Sequence, residues 1–313
     1  MLSWGSTSLP EACLSDEPKK PFKWLSEILE DPEMLEPPKS IAPKLAWKGR
    51  LTLLAAREKG GKSTLAGAAA AAVSVGAPFL GERTDAGNVL VISLEESIAD
   101  FAQRLVRFGC DPTKIAVVDK SSGINLVQDI WATAEEIKPS LIIWDTLGAF
   151  AEHISGKTLD PGDGQGWTRV MMEIVEVARA YGANLLLHHS RRSDGQYRDS
   201  SAIGANVDVI LEMHGEGQEP RVIKGKGRFE INEIRIKLEG DEFRLLETEK
   251  EFKERVLTFV KKNPKCSFRE LRDGVSGRSE DIQKVRDTLL ASGLLANVGT
   301  PTNHSYMAVK HGS

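Results

Sequence analysis

The segment Ala56-Arg57-Glu58-Lys59-Gly60-Gly61-Lys62-Ser63-Thr64 constrains this chain more than any other feature. It follows the largely apolar run Leu51–Ala56 and leads into an Ala-rich stretch at 65–80. A buried strand, a tight glycine turn and a helix packed through small side chains are what this order predicts. The spacing suits phosphate binding. Successive backbone N–H groups of the turn converge on a phosphate, and the following helix adds its positive N-terminal end. In such a loop Lys62 reaches the β/γ-phosphates of a nucleotide, and the Ser63 hydroxyl completes the shell of a Mg2+ ion. Ala56 stands where a first glycine usually is, which is tolerable only if φ there stays negative. The bland reading is a chance Gly-Lys-Ser at a helix start, without the strand and small-residue helix that flank it here.

Beyond the loop, strand-like runs at 88–93, 115–118, 141–144 and 183–188 alternate with helical stretches at 98–108, 127–137 and 167–181. This alternation predicts βαβ units: an α/β domain with a mainly parallel central sheet covered by helices on both faces. After 207–213 the pattern becomes strand–turn–strand (221–224, 233–238, 242–246), an antiparallel extension at one edge. Residues 1–45 read as an irregular arm with one short helix around 24–29, residues 46–248 as the α/β domain, and 249–313 as a separate module. In the module an amphipathic helix spans 251–262, and Ser267-Phe268-Arg269-Glu270 forms a capping box. Ser279 caps a third helix to about 292, and strands at 294–298 and 305–309 flank a turn. That inventory predicts a winged helix-turn-helix.

Composition narrows the classes. At 313 residues the chain has room for one large domain and a small appendage. Its net charge of −4 excludes a generally polycationic surface, so nucleic-acid contact must be local. Residues 251–313 hold 11 Lys and Arg against 7 Asp and Glu, a basic surplus that suggests a DNA surface. Three separated cysteines (Cys13, Cys110, Cys266) indicate neither a disulfide framework nor a zinc site, and a reducing cytoplasm fits. The apolar run at 65–80 is shorter than the roughly 18 residues of a membrane span, and no signal pattern opens the chain, so no membrane partner is expected.

Two carboxylates follow the loop at strand ends. Leu141-Ile142-Ile143-Trp144-Asp145 places Asp145 beside the phosphate loop, where it holds the water shell of Mg2+. One strand earlier, Ser93-Leu94-Glu95-Glu96 offers Glu95 as the base or orienter of an attacking water. Acids also favour the first turn of a helix. Glu96 then serves the helix while Glu95 serves the chemistry.

Ser93-Leu94-Glu95-Glu96, with Gln103-Arg104-Leu105-Val106-Arg107-Phe108-Gly109 after it, resembles the RecA-like hexameric replicative helicases, specifically the DnaB-type and plasmid RepA-type ATPases. The resemblance covers roughly 51–246. It implies a RecA-like P-loop NTPase fold using ATP and Mg2+, with Glu95 as catalytic carboxylate. His189, in Leu185-Leu186-Leu187-His188-His189-Ser190-Arg191-Arg192, matches the family's γ-phosphate sensor. Tyr197-Arg198 and Val207-Asp208-Val209-Ile210 resemble the segment after the family's central loop. Lys224-Gly225-Lys226-Gly227-Arg228 resembles the Lys-x-Arg element that enters the neighbouring subunit's site, which implies Lys226 and Arg228 as trans fingers. The alternatives are a strand end with satisfied imidazoles, and an edge-strand charge cluster that blocks aggregation. Ala56 and an arm unlike the helicase-type collar depart from the family pattern.

Two stretches, 148–166 and 191–204, follow the strands ending at Asp145 and His189. In RecA-like rings such loops face the central channel. They carry Lys157, Arg191, Arg192 and Arg198, which suits single-stranded DNA, or else they are ordinary solvent loops. Arg278, Lys284 and Arg286 lie on or just before the module's third helix, where they meet DNA or a protein partner. The expected function is an ATP-dependent DNA helicase or translocase of plasmid, phage or mobile-element replication type. It would work as a homo-oligomeric, hexameric ring with possible replication partners. The alternatives are a DNA-binding regulatory or recombinational RecA-like ATPase that does not unwind, and a transcriptional regulator driven by the winged helix.

Overall fold

The computed structural model of the chain describes residues 22–31, 35–189, 201–215, 217, 219–275, 279–300 and 304–309. Two compact units divide at Pro38. The first contains helix α1 (Leu25–Leu29), whose Glu27 Oε2 accepts from the Trp24 N–H at 2.9 Å. The second runs from Lys39 to Ser313. It opens with a hairpin of β1 (Ser40–Ala42) and β2 (Ala46–Trp47) in the stretch expected to end an irregular arm. Ala42, Leu45 and Ala46 are fully buried, and this apolar contact orders the hairpin.

The central sheet has nine strands in the order β11-β10-β9-β8-β3-β7-β6-β4-β5. Six of them run parallel: β3 (Leu51–Ala56), β4 (Val89–Ser93), β5 (Ile115–Asp119), β6 (Leu141–Asp145), β7 (Ala183–His189) and β8 (Val209–His214). The antiparallel strands β9 (Arg221–Gly227), β10 (Ile234–Glu239) and β11 (Glu242–Leu246) extend the β8 edge, as the sequence pattern predicts. The parallel strands are buried on both sides because alternate residues feed two cores. Leu54, Val91 and Ile143 pack under α2 (Lys62–Val75) and α3 (Ile98–Arg107). Leu53, Ile92 and Trp144 pack under α4 (Leu126–Ile137), α5 (Leu147–Ser155), α6 (Gly164–Ala180) and α7 (Ser201–Asn206). Helix α2 lies deep in the first core because Ala66, Ala69 and Ala70 take so little room.

The expected open loop at 148–166 is corrected by α5, which occupies Leu147–Ser155. Leu147, Phe150 and Ala151 recur at helical spacing and are buried, and Thr146 caps the helix by accepting from the Ala149 N–H at 3.4 Å. Gly148 disguised the helix, and Gly156 ends it at φ 68°. Only 156–163 remains as loop. It keeps Lys157 exposed, 4.0 Å from Asp163 Oδ2.

The C-terminal residues form α8 (Glu249–Lys262), β12 (Cys266–Ser267), α9 (Phe268–Gly274), α10 (Ser279–Ala291), β13 (Leu295–Asn297) and β14 (Ser305–Ala308). Val256, Leu271, Ile282, Leu289 and Tyr306 make a core of their own. Ser267 and Glu270 form the expected capping box, and Thr248 with Glu251 forms a second one. Ser279 lies inside α10 rather than before it. No helix among the described residues is long and apolar enough to cross a membrane.

Gly182, just before β7, has φ 45°, and a Cβ there would sit 2.5 Å from the carbonyl oxygens of Pro139 and Ser140. Gly182→Ala therefore meets both a left-handed backbone and a backbone clash. A loss of about 2–4 kcal/mol of stability is expected, read as a lower urea midpoint at an unchanged slope.

Candidate active site

The parallel strands β3, β4, β6 and β7 deliver their C-terminal ends to one edge of the sheet, with Ala56 opposite His189 and Ser93 opposite Asp145. The phosphate-loop residues follow β3 at that edge. Arg57, Glu58 and Lys59 are exposed, Gly60 and Lys62 are buried, and Ser63 and Thr64 open α2. Left-handed backbone falls at Lys59 (φ 57°) and Gly61 (φ 93°). Ala56 is not among the positive-φ residues, so the condition placed on its methyl group is met.

Lys62 is 4% exposed. Its Nζ donates to Ala56 O at 3.3 Å and Arg57 O at 3.2 Å, and lies 3.1 Å from His189 Nδ1. An ammonium has only donors, so Nδ1 is the acceptor and the ring's proton sits on Nε2. His189 Nε2 in turn lies 3.0 and 3.1 Å from the two Glu95 oxygens. A continuous chain thus runs from Lys62 through His189 to Glu95. Burial pushes the Lys62 ammonium below its ordinary pKa, against the opposing pull of Asp145, Glu95 and Glu58. Burial would raise the Glu95 carboxyl. Hydrogen bonds with His189 and Thr146, with the Lys62 charge, outweigh it and hold the group below its ordinary value.

The two adjacent glutamates have different partners. Arg104 grips Glu96 with two hydrogen bonds of 2.6 Å. Helix α3 starts later, with Ser97 as its cap accepting from the Asp100 N–H at 3.2 Å. Glu96 therefore precedes the helix and braces Arg104, whereas only Glu95 reaches His189. Asp145 is 2% exposed and hydrogen-bonded to Ser63. Burial, with repulsion from Glu96 and Glu95, pushes its carboxyl up to about 6. Its Oδ1 and the neighbouring Ser93 Oγ are buried without a hydrogen-bond partner. A hydroxyl beside a carboxylate with an unused oxygen fits the hard-oxygen donor set of Mg2+.

The remaining expected site residues lie elsewhere. Strand β9 is antiparallel to β8, so it starts at the phosphate-loop edge and carries Lys226 to the opposite one. Seven residues at about 3.4 Å each separate Arg228 from its own loop by roughly 24 Å. Arg228 is 68% exposed, and its Nε lies 3.3 Å from Asp208 Oδ1. A role at the phosphate loop of the same chain is thereby excluded. Arg191, Arg192, Arg198 and Arg278 lie outside the described residues. Lys284 lines a cleft of about 940 Å³ between α8, α10 and the antiparallel strands. The assignment of Arg286 to DNA contact needs correction. Its guanidinium sits 4.7 Å from the Phe268 ring centre and 5.6 Å from that of Tyr306, pairs with Asp287, and is used in the module's own packing.

Sequence reasoning missed Thr146 and Arg221. Thr146 directly follows Asp145, and that adjacency was a usable signal. Arg221 Nε donates to Gly60 O at 3.0 Å across 161 positions, and no local pattern announces it. A family model for the AAA domain matches residues 18–195, more than half of the chain. No curated protein matches it.

Glu95→Gln should retain nucleotide binding and lower ATP turnover by at least about a hundredfold, because the amide keeps the shape but takes no proton. Glu96→Gln should be much milder. Steady-state rates and binding titrations on both variants check this, and the reverse ranking would reassign the carboxylate. Asp145 gives a pH signature. Its folded pKa lies above the ordinary 3.8, so the empty protein binds the extra proton on folding and loses stability as pH rises from about 4 through about 6. Without nucleotide, Asp145→Asn should raise Tm at pH 7.5, and the gain should shrink toward pH 5. A gain independent of pH would count against this origin.

Proposed function

The chain belongs to the AAA-domain family of P-loop ATPases, and from that premise we propose that it is an ATP-driven DNA helicase or translocase whose subunits share their active sites in a homo-oligomeric, hexameric ring. The observation that carries the reading is the chain Lys62–His189–Glu95, which joins a phosphate-binding cation to a carboxylate base through one imidazole.

The chemistry follows from those contacts. An arriving triphosphate offers Lys62 a better acceptor than two neutral carbonyls and a ring nitrogen. Once Lys62 turns to phosphate, His189 loses the donor that fixed it and swings its Nε2–H from Glu95 to the γ-phosphate. Glu95 is then free to take a proton from the attacking water. Thr146 keeps its hydrogen bond to Glu95 and holds the carboxylate in place. Ser63 and Asp145 would hold Mg2+, which when bound neutralises charge on the β- and γ-phosphates. Hydrolysis is thereby coupled to phosphate occupancy, as a motor or a switch requires.

Lys226 and Arg228 are offered for the shared site because they lie too far from their own loop, and Arg228, though paired with Asp208, keeps most of its side chain exposed. A finger of this kind contributes on the order of 10³–10⁵ in rate. We assign the C-terminal module as a winged helix-turn-helix, on the strength of its three helices and its strand order β12-β14-β13. DNA is the partner we propose for the module and for the channel-facing segments.

The decisive experiment mixes Lys62→Ala with Arg228→Ala, each inactive alone. Interfaces that combine an intact loop from one with an intact Arg228 from the other should recover ATPase activity, and single-stranded DNA should stimulate the wild type and support strand displacement. Proven subunit exchange without recovery would refute the shared site. Duplex binding without displacement would select the non-unwinding regulatory or recombinational ATPase instead.

A further inference from the structure

We propose that Arg221 locks the Gly60–Gly61 peptide plane, so that the Gly61 N–H is presented to a bound phosphate. The inference rests on the phosphate-binding reading of residues 56–64 and assigns a positioning role to a residue outside them. Arg221 opens β9 at the phosphate-loop edge, next to the pairing of His214 with Val222. Its Nε donates to Gly60 O at 3.0 Å, Nη2 to Gly217 O at 2.9 Å and Nη1 to Glu219 O at 2.5 Å. The guanidinium therefore clamps its own turn and the phosphate loop together through backbone carbonyls.

The need for such a clamp follows from the glycines. A Cβ on Gly60 would lie 2.9 Å from Arg57 O, and Gly61 has φ 93°. Both positions must stay glycine, so no side chain within the loop can stiffen the peptide between them. A peptide flanked by two glycines reorients easily. In a trans peptide the C=O and N–H point in opposite directions, so gripping Gly60 O from outside fixes where the Gly61 N–H points. A cation on the carbonyl also polarises the amide and strengthens its N–H as a donor to phosphate.

The test compares Arg221→Met, which keeps the apolar stem and removes the donors, with Arg221→Lys and Lys62→Ala in the full chain. Dissociation constants for ATP and ADP, KM, kcat and Tm are measured for each. Arg221→Met should bind both nucleotides about tenfold more weakly, with KM rising in step and kcat at saturation nearly unchanged. Arg221→Lys keeps a cationic donor within reach of Gly60 and should recover part of the loss. A purely structural role would instead lower Tm and leave the nucleotide affinity of the folded fraction intact. Wild-type affinity in folded Arg221→Met, together with lost affinity in Lys62→Ala, overturns the lock alone. Wild-type affinity in Lys62→Ala overturns the phosphate-loop reading itself. Should Arg221→Met fail to fold, NMR relaxation dispersion on the empty wild type decides. A Gly61 amide free of microsecond-to-millisecond exchange is expected, and a flipping one overturns the proposal.

Discussion

The Lys62 ammonium is nearly dry, and its protons are directed at Ala56 O, Arg57 O and His189 Nδ1. An isolated charge in that position would be strongly disfavoured, so the surrounding architecture has to supply acceptors from several elements at once. Two come from the end of β3 and the loop after it. The third requires β7 to lie directly beside β3 with His189 opposite Ala56. Asp145, at the end of β6, places an opposing charge close by. A one-residue slip in any of these strands would turn the donor or acceptor to the other face of the sheet. The strand order and register are therefore conditions on this one contact as much as on the apolar cores.

Much of this was readable from the chain alone, because the chemistry is written in contiguous residues. The phosphate loop, Asp145 and Glu95 each sit at the end of an aliphatic run, and such runs become parallel strands. What escaped reading depends on contacts between distant positions. Glu95 is favoured over Glu96 in the sequence by resemblance alone, and the physical difference comes from His189 reaching Glu95 and from Arg104, eight positions after Glu96, folding back onto Glu96. Helix α5 was hidden by Gly148, although burial of Leu147, Phe150 and Ala151 outweighs that glycine's weak helix propensity. The sequence marks Arg286 as a basic residue on a helix. Whether such a residue faces a partner or stacks between two rings depends on Phe268 and Tyr306 arriving from elsewhere.

The C-terminal module holds itself together differently from the nucleotide-binding sheet. Its core is small, and both its first helix and its second are started by a reciprocal Ser/Thr–Glu cap. Arg255 on α8 reaches back to Glu247 with hydrogen bonds of 2.6 and 2.7 Å, anchoring the helix to the residues that lead out of β11. Clefts of about 940 and 810 Å³ flank this attachment on the sides of Lys284 and Lys253.

Strand β9 begins with the residue that grips the phosphate loop and ends next to the one that faces away from it. A hydrogen-bonded strand bends and twists but hardly changes length, whereas a loop of the same span would take up any shift within itself. Its register with β8, from Val222 to Gly227, is continuous. Strand β9, paired to β8 on one side and β10 on the other, is therefore a stiff strut that cannot slide without breaking both ladders. The two ends of the strand are thus held at a set separation, and the phosphate loop is tied through Arg221 to the whole width of the sheet.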